Sequence, residues 1–329
     1  MAAGAAKAGV NGVVVLVIIG LITTTAIYHK KAEREALRNR LSGDAFTAWL
    51  QDLSDEKKDL SRFLPLAKAS IAAEREALGG DRAALAGHLM KYSMMSSLTH
   101  YSLWGSGPAE PPGVKDFERE LARELGDQLL QMLNENDPRV LTYANMVADS
   151  DGEGLIAQDV QERLLLGAVR LARAKGQTPM PKFQERAASR FNSWSWNVAL
   201  KPGESADAYA HAIILAETAV YAAPDNGNYV NTLAYAQYRA GKYPEAAATI
   251  ARAVSLRKQP DDLDTVMVAM TAARAGKLDE ARPALESLER REAARAKEAI
   301  SKGRKPSVDP TLQALMAEAR ALLPPASAK

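Results

Sequence analysis

Two stretches of the chain align with an offset of 35 residues. "LAYAQYRAGKYPEAAATIARAVSL", starting at Leu233, and "VAMTAARAGKLDEARPALESLERR", starting at Val268, place Gly241 over Gly276 and Ala246 over Ala281. In each copy an apolar-periodic helix ends at Ala-Gly, and a second, alanine-rich helix follows within a few residues. A hairpin this small cannot bury its apolar face alone, so neighbouring copies have to stack and share a core. That requirement narrows the fold more than any other feature of the chain.

Composition agrees. Of 329 residues, 47% are hydrophobic, 25% are charged and only 6% are aromatic, with alanine, leucine, glutamate and arginine prominent. Such a mixture favours helices over strands. No convincing strand alternation appears, so the body is expected to be all-α. The 42 basic and 40 acidic side chains leave a formal charge of +2, which gives no global attraction to nucleic acid, and none is expected as a partner. The absence of cysteine excludes disulfides, thiolate catalysis and Cys-ligated metal.

The first stretch resembles the tetratricopeptide repeat, a helix–turn–helix unit of about 34 residues. Leu233, Ala234, Gly241, Tyr243, Ala246, Ala253 and Val254 stand where that family places its packing residues. A third copy is read upstream, with "RFNSWSWNVAL" as its first helix and "AHAIILAETAVYAAPD" as its second. Lys258 where a closing Pro is usual, and Val230 where Trp is usual, depart from the pattern. The resemblance implies an α-solenoid of stacked hairpins over residues 183–329, closed by "DPTLQALMAEARALL" as a capping helix. It implies nothing definite upstream.

Residues 9–28, "GVNGVVVLVIIGLITTTAIY", carry no charge. A helix of that length spans about 30 Å, enough for the hydrocarbon core of a bilayer. The expectation is a short tail over 1–8, a transmembrane helix over 9–28 and a charged stalk over 29–43. A cleaved signal peptide ending near Thr24-Thr25-Ala26 is the rival. Lys30, Lys31, Arg34, Arg38 and Arg40 after the segment lean the body toward the cytoplasm of a bacterial inner-membrane protein, with the periplasm left open. A helical middle region is expected over 44–182, with a sub-boundary at the breaker-rich 105–113.

The resemblance assigns a concave groove to one face of the first helix of each repeat. Carried over position by position, the groove residues are Asn192 and Trp196, then Asn228, Asn231, Tyr235, Tyr238 and Arg239, then Leu263, Val266, Met267, Met270 and Arg274. Asn amides can grip a peptide backbone while aromatic and Met side chains accept apolar groups. The expected ligand is a protein or peptide partner, and the chain is a scaffold with no catalysis of its own. Leu263 and Met267 stand where the family's chaperone-tail clamp needs cations, which argues against that ligand. On this reading, replacing Tyr235 and Arg239 by alanine abolishes capture without disturbing the fold. The alternative is that the protein's own C-terminal helix fills the groove, or that Trp196 is core.

Other motifs carry less. "HLMKYSMMSSLTHYSLW" reads as core before interface, "DSDGEG" at 149–154 as a turn before a calcium loop, and the basic run 290–305 as a solvated helix end before a lipid or RNA contact. His29, His88, His100 and His211 are scattered, and no H-E-x-x-H, G-x-S-x-G, G-x-G-x-x-G or phosphate loop is present. No cofactor or metal is expected. A helical enzyme or small-ligand sensor within 44–182 is the competing reading.

Overall fold

A computed structural model describes residues 3–54, 60–78, 80–99, 113–149, 155–176, 181–257, 261–307 and 309–324; among these, side chains are described from residue 28 onward, except at 97–99 and 181–182. All thirteen elements among them are helices, and no strand occurs. The protein is all-α. The chain divides into two compact units, Met1–Gly176 and Gln177–Lys329.

The first unit contains α1 (Ala3–Ser54), α2 (Phe63–Leu78), α3 (Arg82–Thr99), α4 (Val114–Asn134), α5 (Val140–Asp149) and α6 (Gln158–Ala174). α1 runs on through Gly43 and Asp44, residue types that elsewhere end or cap helices. The chain gains by continuing, because the α1 face carrying Ala45 and Ala48 is buried and α1 packs along α2. α2 is then capped from a distance: the buried Asp52 carboxylate accepts from the backbone N–H of Arg62 (3.0 Å) and Phe63 (2.9 Å). Phe63, Phe117, Leu89, Leu125 and Leu129 centre the core of this unit.

The expected membrane localisation is corrected. Among the described residues no helix is long and apolar enough to cross a membrane, which removes the support for a single-pass membrane protein. The backbone of 9–28 belongs to α1, while the side chains up to residue 27 lie outside the described residues. The 105–112 segment and residues 150–154 of the acidic turn lie outside them as well.

The second unit contains α7 (Pro181–Ala199), α8 (Ala206–Ala222), α9 (Gly227–Arg239), α10 (Tyr243–Ser255), α11 (Asp262–Arg274), α12 (Leu278–Ser301) and α13 (Pro310–Ala321). α11 begins and ends 35 residues after α9, and α12 begins 35 after α10. The turns match bond for bond. Gly241 N–H donates to Tyr238 O and Lys242 N–H to Gln237 O; Gly276 N–H donates to Ala273 O and Lys277 N–H to Ala272 O. These paired bonds close each helix with a left-handed residue, and Gly241 (φ 76°) and Gly276 (φ 73°) take that role. A Cβ at Gly241 would meet nothing within 4 Å, so the cost of substitution is conformational alone. Gly241→Ala should therefore cost about 1–2 kcal/mol, read as a lower urea midpoint with unchanged slope.

α12 outlasts α10, at 24 residues against 13, and buries nothing beyond Leu288. Its exposed end leads into residues 302–309, from which α13 starts. The Asp309 side chain caps α13 by accepting from Thr311 N–H and Leu312 N–H, and Pro310 sits in the first turn.

Candidate functional site

The residues expected to line a groove converge, but around a core. α7, α9 and α11 bring Trp196, Tyr235, Val266, Met267 and Met270 into one apolar cluster. Tyr235 is wholly buried: its ring meets Trp196 edge-on at 5.1 Å and its hydroxyl donates to Leu263 O at 2.8 Å. Burial raises its pKa well above the ordinary value. Tyr238 is buried beside Tyr243, and the exposed Arg274 guanidinium donates to its hydroxyl at 3.3 Å. Leu263 is half-buried, as is Asn192, whose Oδ1 finds no hydrogen-bond partner among the described residues.

Asn231 turns inward as well. Its Nδ2 donates to Asp264 Oδ1 at 2.6 Å, and Arg257 Nη1 approaches Asp264 Oδ2 at 2.8 Å. The second approach lacks hydrogen-bond alignment, so it acts as an ion pair. Asp264 is itself 0% exposed, and burial raises its pKa against the lowering pull of Arg257 and Asn231. Arg257 also donates to the exposed Asn228 Oδ1 at 2.7 Å. The two asparagines thus serve the protein's own fold.

The same core takes in α13. Leu312, Leu315, Met316 and Ala319, spaced i, i+3, i+4 and i+7, are all buried within that cluster, and α13 packs against α11. Arg239 holds the helix in register. Its Nη1 and Nη2 donate to the two carboxylate oxygens of Glu318 at 2.6 and 2.8 Å, and its Nε donates to Ala199 O at 3.0 Å. Burial opposes the Arg239 charge, yet Glu318 outweighs it and the pKa rises. Tyr235 and Arg239 are therefore not an open surface whose loss leaves the fold untouched. At these positions core and groove call for the same residue types, and here they pack against α13 of the same chain.

No family model matches this chain, and no curated protein matches it. What the site does has to be read from its own geometry.

The first unit holds a polar cluster that motif searching missed. Ser70 Oγ lies 3.2 Å from His88 Nε2, and His88 Nδ1 lies 3.8 Å from Glu74 Oε1. Arg38 from α1 donates to Glu74 Oε2 through Nε at 2.9 Å, and its Nη2 lies 2.7 Å from the same oxygen as an ion pair. The order hydroxyl, imidazole, carboxylate is that of a nucleophilic triad. Ser70, however, is 0% exposed in the middle of α2, where backbone N–H groups are committed to the helix and cannot stabilise an oxyanion. Substrate has no route to Ser70 in this conformation. The only sequence hints were Ser70-x3-Glu74 and His88-x3-Tyr92, each one helical turn apart.

Two clefts flank the Arg75–Glu124 pair, which is bidentate at 3.0 and 2.7 Å. One, of about 170 Å³, reaches Asp81 and Arg82. The other, of about 220 Å³, has Lys68 and Phe117 on its walls. Both fall short of the roughly 300 Å³ at which small-molecule pockets begin. Met90 and Met95 are core while Met94 is exposed. In the basic run, Arg291 and Arg295 pair with Asp262 and Lys302 with Glu298. Among the described residues no three His, Cys, Asp or Glu side chains group to hold a metal ion.

Proposed function

We propose that the chain acts by binding, as a tetratricopeptide-type scaffold whose concave face takes an amphipathic helix, and that α13 holds this seat in the free chain. The matched turns at Gly241 and Gly276 support the repeat. The observation that carries the binding reading is the manner in which α13 is held. An apolar stripe supplies most of the free energy, at roughly 1.5–3 kcal/mol for each fully buried Leu or Met. One carboxylate, Glu318, answers one inward-facing cation, Arg239, and sets the register. A partner fitting this face is a helix with the same stripe and an acidic residue in the place of Glu318.

A peptide of residues 309–324 supplied in trans tests this. The full chain carrying Leu315→Asp and Met316→Asp loses its own occupant and should bind the labelled peptide in a fluorescence anisotropy titration. The unaltered chain should not, because its tethered α13 competes at millimolar effective concentration. The same peptide with Glu318→Arg should bind at least about tenfold more weakly, the equivalent of one lost ion pair of ~1.4 kcal/mol. A variant that stays helical yet ignores the peptide contradicts the reading. One that loses its helicity shows α13 to be inseparable core, and contradicts it too.

A further inference from the structure

We propose that His88 makes the contact between α1 and α2 proton-sensitive: on taking up a proton the imidazole draws Glu74 away from Arg38, and α1 loses the Arg38 tie to α2, keeping the exposed Arg34–Glu76 pair and the Asp52 anchor. The cluster sits where three helices meet. α1 supplies Arg38 and Ser42, α2 supplies Ser70 and Glu74, and α3 supplies His88, Lys91 and Tyr92. Among the described residues Glu74 is the one acidic side chain facing His88, with 9% of its side chain exposed against 11% for the imidazole. Arg38 and Lys91 are the cations around it, and Lys91 Nζ donates to Ser42 Oγ at 2.7 Å. On the other elements packed against α3, Glu118 of α4 accepts from Ser96 Oγ, two turns beyond His88. Tyr143 of α5 reaches across Gly87 to the Ala83 carbonyl.

A neutral imidazole fits this arrangement with its proton on Nδ1, toward Glu74, so that Nε2 accepts from the Ser70 hydroxyl. An added proton goes to Nε2. Ser70 must then turn its hydroxyl and accept instead of donate, and the cluster holds three cations, Arg38, Lys91 and His88, against one carboxylate. Arg38 is the member that can leave, since 26% of its side chain is already exposed and its long stem reaches water. His88 cannot leave without opening the core. Tyr92, wholly buried, closes the other side of the ring. The C-terminal end of α1 keeps its separate anchor, Asp52 on the start of α2, so loosening is confined to the part of α1 before Ala45.

The sign follows from the environment. Burial first, and then Lys91 and Arg38, hold the His88 pKa below its ordinary 6.5, while Glu74 pulls the other way. The unfolded or detached state therefore takes up the proton first. The tie is at full strength above 6.5 and weakens as pH falls below it.

Hydrogen exchange of the full chain, followed by mass spectrometry at pH 7.5 and 5.5 and corrected for intrinsic rates, reads this directly. Amides 36–44 should lose protection by on the order of tenfold for each pH unit below the ordinary His value, while those of α9 and α11 hold theirs. His88→Gln keeps a partner for Ser70 but cannot titrate, and should leave 36–44 equally protected at both pH values. Arg38→Gln should leave them weakly protected at both. A flat response in the unaltered chain overturns the proposal. So does a pH response surviving in His88→Gln. If His88→Gln loses helicity, Arg38→Gln decides, and a remaining pH response there overturns the proposal equally.

Discussion

Tyr235→Ala should destabilise the second unit by about 3–5 kcal/mol, the range for removing a fully buried aromatic ring. The ring is 0% exposed, stacks edge-on against Trp196, and lies in the cluster that α7, α8, α9, α10, α11, α12 and α13 share. The cavity cannot collapse easily, because its walls are closely packed helices that would have to shift as units. Tyr235→Phe keeps the ring and loses only the bond to Leu263 O, so it should cost no more than about 1–2 kcal/mol. Urea unfolding followed by tryptophan fluorescence separates the two, since Trp194 and Trp196 both belong to this unit. A Tyr235→Ala protein that melts like the unaltered chain would mean that the ring faces solvent and that the groove is open.

Arg257→Ala should cost a comparable amount, about 3–5 kcal/mol near neutral pH, for a different reason. It leaves the Asp264 carboxylate 0% exposed, with Asn231 as its remaining inter-helix side-chain partner. A buried charge stripped of its counter-ion is among the most destabilising changes a core can suffer. The loss should shrink as pH is lowered. Burial already raises the folded-state pKa of Asp264 above 3.8, so the native state binds its proton before the unfolded chain does. Stability tied to this group therefore rises as pH falls from the folded value towards 3.8, opposite to an ordinary surface ion pair. Adding Asp264→Asn to Arg257→Ala removes the charge and should recover most of the loss at pH 7.5. If Arg257→Ala is as stable as the unaltered chain at neutral pH, the carboxylate is hydrated and the pair lies at the surface.

These two expectations mark where sequence reading works and where it stops. Helices were legible throughout the repeat region, because Gly241 and Gly276 punctuate the period and the apolar residues between them recur at 3.6. Burial on the first helix of each repeat was not legible. Tyr235, Met267 and Met270 suit a partner-binding wall and a filled core equally well, and the difference depends on where α13, which starts at Pro310, comes to rest. That return depends on the long α12 and on Asp309 restarting the chain, neither of which alters the local pattern at Tyr235. Arg239 was read as part of a surface for a partner, and its guanidinium instead meets the Glu318 carboxylate of the same chain, 79 residues away. The His88 cluster was hidden for the same reason, with Arg38 36 residues before Glu74 and no motif joining them. The uncharged run at 9–28 was conspicuous in sequence, and no helix among the described residues matches the membrane role it suggested.

A charge-reversal cycle on Arg239 and Glu318 tests most directly whether α13 packs on the Arg239 face of the second unit in solution. Arg239→Glu and Glu318→Arg are made singly and together in the full chain, and the unfolding free energy of each is measured in urea. Each single reversal sets two like charges against each other in a partly buried contact 2.6 Å across and should lower stability, whereas the double reversal restores an opposite pair. The account predicts a coupling energy of about 1–3 kcal/mol between the two positions. Effects that simply add, with no recovery in the double variant, would mean that α13 does not occupy that face.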